Sequence, residues 1–176
     1  LPEAKALAAA WLELKPAQVL VSGNSSLELM YRYLDHACNY GVRGRGSAWR
    51  DSADPVRFLC PVPGYDRHFT VCEHLGIEMV PVALTGHGPD MDQVEALVRS
   101  DPGIRGIWCV PKYSNPTGET YDDSTVARLA RLAGSAGADF RVVWDNAYAV
   151  HHLTDEPPTL AHIMSAADRA GTADSV

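Results

Sequence analysis

Two hydrophobic patterns alternate along this chain, one with the roughly 3.6-residue period of a helix and one made of short apolar runs. Residues 3–14 predict an amphipathic helix ended by Pro16, and "QVLVSG" (18–23) predicts a short apolar strand closed by glycine. Leu27, Met30, Tyr31 and Leu34 recur at helical spacing and predict a helix over 26–40. The polar, glycine-rich stretch "GVRGRGSAWRDSAD" (41–54) predicts a loop. A strand follows in "VRFLCPVP" (56–63), then a helix over 66–75 stopped by Gly76, then a strand in "IEMVPVAL" (77–84). Asp90 with Gln93 has the spacing of a capping box at the start of a helix over 91–99. "IRGIWCV" (104–110) is nearly continuous in apolar residues, as in a strand covered on both faces. Asp122 or Asp123 caps a helix whose Val126, Leu129, Ala130 and Ala133 share a face. "FRVVWD" (140–145) predicts the last strand, and a helix over 159–170 closes the pattern.

Strands alternating with helices predict an α/β fold of three layers, α/β/α, around a mainly parallel sheet. Ligands of such sheets sit outside the carboxyl ends of the strands. Four polar clusters fall at the predicted strand ends: Gly23-Asn24-Ser25-Ser26, Pro63-Gly64-Tyr65, Asn115 in "YSNPTGE", and Asp145.

Composition narrows the classes of function. The 176 residues are 46% hydrophobic and 21% charged, as expected of one soluble domain with a sizeable core. A net charge of −7 argues against nucleic acid or an anionic membrane as partner. No apolar run approaches the roughly 20 residues that cross a bilayer. The opening "LPEAKALAAAW" has neither an initiating Met nor a basic flank, so it predicts no signal peptide and suggests a start inside a larger protein. Cys38, Cys60, Cys72 and Cys109 form no CxxC pair and lie in apolar contexts, which predicts buried free thiols in a reducing cytoplasm. The histidines are scattered, and adjacent His151 and His152 point apart, so a metal site is poorly supported.

Each polar cluster has a plain structural reading beside a chemical one. "GNSS" at a helix start offers free backbone N–H groups, hydroxyls and the positive end of the helix dipole, which suit a phosphate; Asn and Ser are also ordinary N-caps. Pro116 and Gly118 make "NPTG" a turn, whatever else Asn115 does. Tyr65 can stack on a planar ring or simply pack. Asp145 follows Val142, Val143 and Trp144, where a charge is costly unless paired, and a cationic ring would pair it. Tyr148, three residues on, offers a phenol nearby. A phosphate, a flat ring, a ring cation and a neighbouring hydroxyl together describe pyridoxal 5'-phosphate, in which a carboxylate keeps the pyridine nitrogen protonated.

"NPTG" followed thirty residues later by "DNAY" resembles fold-type I aminotransferases of the aspartate aminotransferase group. The strings "GNSSLELMYR", "CPVPGYDRHF", "GIWCVPKYSNPTGETY" and "FRVVWDNAYAVHHL" look like its MocR-type aspartate aminotransferase subgroup, over nearly the whole chain. The resemblance implies that Asn115 and Tyr148 contact the cofactor's phenolate oxygen and that Asp145 binds its pyridine nitrogen. It implies that Tyr65 stacks on the ring, that His68 supports Asp145 from behind, and that Asn24, Ser25 and Ser26 hold the phosphate. Asp145 and Tyr148 are then the residues closest to the chemistry.

The reaction of that family also needs a lysine beyond the D-x-x-Y motif, and the lysines here are Lys5, Lys15 and Lys112. The expectation is therefore that residues 1–176 are the central part of a cofactor-binding large domain, with the lysine, the arginine that grips the substrate α-carboxylate and a small domain lying elsewhere in a longer protein. The resemblance implies a cytoplasmic homodimer that moves an amino group between an amino acid, aspartate or glutamate, and a 2-oxo acid. It further implies that two strands from beyond the D-x-x-Y region lie between the 18–23 strand and the rest of the sheet. Two alternatives use the same scaffold: the effector domain of a MocR-type transcription regulator, and a pyridoxal-dependent β-lyase. A basic winged-helix segment upstream would mark the regulator.

Overall fold

Along β1 (Arg57–Val62), successive side chains enter opposite cores: Phe58 and Cys60 go to one, Leu59 to the other. The alternation recurs in β3 (Ile104–Cys109), where Trp108 joins Phe58 while Ile107 and Cys109 join Leu59. With β2 (Glu78–Ala83) and β4 (Arg141–Trp144) they form one parallel sheet in the order β2-β1-β3-β4. These features come from a computed structural model that describes residues 1–44 and 46–176.

Helices cover both faces. α2 (Ser26–Tyr40) and α3 (Asp66–Leu75) close the first core through Met30, Leu34, Ala37, Val71 and Cys72. α4 (Met91–Ser100), α5 (Asp123–Leu132) and α6 (Ile163–Ala170) close the second through Val94, Val98, Val126, Leu129 and Ile163. The result is the expected three-layer α/β/α arrangement. Between β1 and β3 the register slips by one residue, and Phe58 then lies across from Gly106. A Cβ on Gly106 would come within 2.3 Å of the Phe58 ring, so this strand position admits the ring only because it carries no side chain.

Several expectations need correction. Residues 18–23 are not a strand: Pro16–Gln18 is a short 3₁₀ turn, and the following residues are joined to no ladder. Leu20 is 82% exposed. An extended segment becomes a strand only by pairing, and the described residues offer it no neighbour. The Gly23–Ser26 cluster thus follows a free extended segment, and three strand ends rather than four define the rim. α1 (Pro2–Trp11) stops short of residue 14, with Glu13 in the left-handed region. α6 starts four residues later than predicted because His162 caps it, its Nδ1 accepting from the Ser165 N–H at 3.0 Å. The 41–54 loop contains a 3₁₀ turn, Trp49–Asp51, whose Trp49 is buried against Phe58.

The helix caps show which local rule applied. Asp90 accepts from the N–H groups of Asp92 and Gln93, as its position at a helix start requires. The expected return bond from Gln93 is absent, because Gln93 Oε1 instead accepts the Ala83 N–H at the end of β2. Asp122, not Asp123, caps α5, accepting the Thr125 N–H at 2.7 Å. Salt links then join neighbouring elements: Arg128 of α5 with Glu95 and Asp92 of α4, and Arg57 of β1 with Glu78 of β2 and Asp101.

Two predictions arise from this architecture. Asp122→Ala should cost about 1 kcal/mol in chemical denaturation, whereas Asp122→Asn should keep most of the cap. The Thr125 N–H holds the Asp122 carboxyl below its ordinary value. The extra stability is thus complete above the ordinary carboxylate range and lost as pH falls through the folded-state value; a difference between parent and Asp122→Ala that does not shrink in acid would contradict this. Separately, the 176 residues expressed alone should associate through the open β4 edge and the exposed Leu20 region. Sedimentation showing a stable monomer would refute it.

Candidate active site

The carboxyl end of β4 delivers a carboxylate into the interior. Asp145 is 8% exposed, and its backbone N–H donates to the Cys109 carbonyl at 2.8 Å, which continues the β3–β4 pairing by one bond. Its Oδ2 lies 3.1 Å from Nε2 of His68, itself 1% exposed and one turn into α3. Among the described residues no other hydrogen bond reaches the Asp145 side chain, so its second oxygen is open to another donor.

His68 is fixed by rings on two sides. Its imidazole stacks on Trp108 of β3 at 4.4 Å between centroids and 11° between planes. Tyr65 meets it edge-on at 5.2 Å and 84°. Trp108 in turn donates its indole N–H to Sγ of Cys72, one helical turn beyond His68. Two successive turns of α3 thus clasp one indole, and the imidazole can face only Asp145. Sequence reasoning missed Trp108, which reads as one more apolar residue of a core strand. Its available signal was period-two alternation, which puts it on the face opposite Ile107 and Cys109, toward α3.

The other predicted residues lie farther out. Asn115 is half-buried in a turn where the Ser114 N–H donates to the Glu119 carbonyl and Gly118 takes the left-handed region at φ 75°. Its amide makes no hydrogen bond among the described residues. Tyr148 is half-buried, edge-on to His151 at 6.0 Å, with its hydroxyl likewise unbonded. Ser25 has the plain role, its hydroxyl accepting the Glu28 N–H at 3.2 Å as the N-cap of α2, and Asn24 and Ser26 are exposed beside it. His68, Tyr65 and Asp145 therefore form one connected cluster with Trp108. No hydrogen bond or ring contact ties Asn115, Tyr148 or residues 24–26 to that cluster.

The chemistry of the neighbourhood is that of a closed, reduced interior. All four cysteines are free and buried. Burial pushes the Cys38 thiol up to about 11 and raises Cys109 further, so both are neutral thiols. No group of three or more metal-ligating side chains occurs among the described residues, and no helix among them is long and apolar enough to cross a membrane.

The family model for aspartate amino-transferase matches residues 1–176. The chain belongs to that family. Among the aspartate amino-transferase relatives, a protein of Mycolicibacterium smegmatis, provisionally named an aminotransferase, is 48% identical over 172 residues, covering 97% of this chain and 40% of that protein. A solved aspartate transaminase from Corynebacterium glutamicum superposes with a TM-score of 0.87 at 42% identity, covering 96% of this chain and 39% of that one. The fold extends to an alpha-aminoadipate aminotransferase from Thermus thermophilus, solved in complex with N-(5'-phosphopyridoxyl)-L-leucine, with a TM-score of 0.75 at 19% identity over 97% and 39% of the two chains. The chain thus spans about 40% of the length of the relatives it matches.

The cluster generates a direct test. Removing His68 leaves the Asp145 carboxyl group buried without its one side-chain hydrogen bond among the described residues, so His68→Ala should destabilise the protein by about 2–3 kcal/mol. Equilibrium urea denaturation measures this, and a loss under about 0.5 kcal/mol would mean that solvent reaches Asp145.

Proposed function

We propose that this chain is the central part of the large domain of a cytoplasmic, homodimeric aminotransferase of the MocR-type aspartate aminotransferase subgroup. It would bind pyridoxal 5'-phosphate and move an amino group between aspartate or glutamate and a 2-oxo acid. The observation that carries the reading is the buried Asp145 at the end of β4, locked on one oxygen by His68 and free on the other. A buried carboxylate with an open oxygen suits a cationic N–H, and a protonated pyridine nitrogen is such a donor.

When bound, the cofactor supplies an electron-accepting ring conjugated to the substrate α-carbon. Asp145 would hold the proton at the ring nitrogen. His68, kept in place by Trp108, would keep the carboxylate oriented and stop it turning toward water. Tyr65, at the N-cap position of α3, would cover the ring face. Asn115 and Tyr148, whose polar groups have no protein partner among the described residues, would hold the phenolate oxygen. Ser25, Ser26 and Asn24 would take the phosphate at the N-terminus of α2, where the N–H groups of Ser26 and Leu27, unlike that of Glu28, make no hydrogen bond among the described residues. The lysine that moves the proton at the α-carbon, and the small domain, are proposed to lie in the part of the protein outside these residues.

Asp145→Ala in the full-length protein should lower turnover roughly a hundredfold or more, the kinetic equivalent of losing a buried charge pair of about 3 kcal/mol. Tyr65→Leu should weaken cofactor retention, read from visible absorbance after dialysis, while the fold survives, since an apolar side chain of similar bulk remains. Parent-like turnover in Asp145→Ala would rule the reading out.

A further inference from the structure

Asn115 and Tyr148 sit on two different connections, one after β3 and one after β4, yet the proposed function needs both at one oxygen. Past the last bond of the β3–β4 ladder, one hydrogen bond among the described residues joins these connections. The Tyr113 hydroxyl lies 2.9 Å from Nδ1 of His152, with the two rings edge-on at 5.9 Å. Tyr113 comes two residues before Asn115, and His152 comes four residues after Tyr148.

Each connection is firm up to that bond. The first folds back on itself, the Ser114 N–H donating to the Glu119 carbonyl and the Tyr121 N–H to the Pro111 carbonyl. Its far flank is braced too, because the Glu119 carboxylate accepts the Gly88 N–H at 3.0 Å and the Asp122 N–H donates to the His87 carbonyl. Ser114 is buried and lines one small recess with Tyr65, His68 and Trp108, which seats the turn beside the side chains that support Asp145. After β4, the Ala149 N–H donates to the Asn146 carbonyl and the His151 N–H to the Tyr148 carbonyl. Two overlapping turns thus lead from Asp145 to His152, and Tyr148 belongs to both. Tyr113 takes the left-handed region at φ 52°, which a bulky side chain seldom adopts and which surrounding contacts must hold. Its ring reaches His152 while Ser114, next in the chain, stays buried.

We propose that Tyr113 and His152 are positioning residues, whose bond straps the Asn115 turn to the Tyr148 turns and fixes how both polar groups meet the cofactor's phenolate oxygen. The proposal rests on the reading that Asn115 and Tyr148 hold that oxygen. Two donors converge on one acceptor only at about 2.5–3.2 Å each, so the two connections cannot drift independently. Both are internally bonded, and the strap removes the freedom left between them. Burial alone does not force the pairing, since His152 is exposed and Tyr113 half-buried, and water can reach either group.

The test uses the full-length protein loaded with pyridoxal 5'-phosphate and reads the pH midpoint at which the cofactor's visible absorption changes. Donors at the phenolate oxygen favour its charged form, so weakening them raises this midpoint. Asn115→Ala and Tyr148→Phe, which remove the donors, should raise it by about one unit or more, and Tyr113→Phe and His152→Leu by about half a unit each. The double variant should move it no further than either single one. His152→Asn, whose Oδ1 can stand near the place of Nδ1, should recover most of the shift. A role in stability alone would lower the urea midpoint of these variants and leave the absorption midpoint at the parent value, and that result overturns the proposal. A double variant whose shift is the sum of the single ones overturns it equally. In both cases raised midpoints in Asn115→Ala and Tyr148→Phe leave the aminotransferase reading standing. Parent-like midpoints in those two would show that the phenolate contacts are wrong, and the strap falls with them. Should Tyr113→Phe fail to fold, His152→Leu, at an exposed position, gives the same decision.

Discussion

A carboxyl group is costly to bury without a hydrogen-bond partner, and the geometry around Asp145 supplies one in His68. Asp145 ends β4, whereas its partner His68 belongs to α3, which follows β1. Those strands are not neighbours, because β3 lies between them. The pair can meet only if β3 supplies something on the α3 face that supports the imidazole as it passes over. Trp108 does so by stacking under His68 while its indole N–H is held by Cys72. Strand order, the face Trp108 occupies and the four-residue spacing of His68 and Cys72 on α3 are therefore one constraint seen three ways. A ring smaller than indole would fill less of this gap and would give up the bond to Cys72.

Satisfied polar groups are unevenly distributed between the two ends of the sheet. Around the starts of β1 and β2, Arg57 links Glu78 and Asp101, and the Asp101 carboxylate also accepts the Gly103 N–H. Between α4 and α5, Arg128 binds Glu95 and Asp92. Exposed pairs of this kind contribute little each, on the order of 0–1 kcal/mol, and Nε of Arg105, at the start of β3, stays buried without a partner among the described residues. At the carboxyl ends several side chains make no such link. One oxygen of Asp145, the amide of Asn115, the hydroxyl of Tyr148 and Oδ1 of Asn146 all lack a protein hydrogen bond among the described residues. Asn115 and Tyr148 are half-buried, so one oxygen of Asp145 and Oδ1 of Asn146 are the buried members of this set, at the end of the sheet where parallel strands bind ligands.

The alternation of apolar periods was enough to find four of the strands and most of the helices, because burial on one or two faces writes itself directly into the residue order. It was also enough to single out Asp145, since a charge after Val142, Val143 and Trp144 breaks the local pattern. Two things were not legible. The "QVLVSG" stretch has the composition of a strand, yet Leu20 and Val21 are exposed and unpaired, because strand formation is a property of two segments and composition describes one. The Gln93 side chain has the spacing of a capping box, yet it bonds Ala83 across the β2–α4 connection, a contact set by the path of the chain. Trp108 falls between these cases: its burial was predictable, but its role depends on which helix packs over it.

The sheet's two edges show the same dependence on what lies beside them. β2 carries Pro81, which cannot donate to a further strand, and most of its residues are exposed, so this edge resists extension. β4 has no such device. Val142, Val143 and Trp144 line the long apolar cavity, and among the described residues no strand pairs with the outer backbone groups of β4. An edge without proline or bulge, beside apolar walls, needs a covering segment to avoid association. The exposed Leu20 and Val21 share the same need.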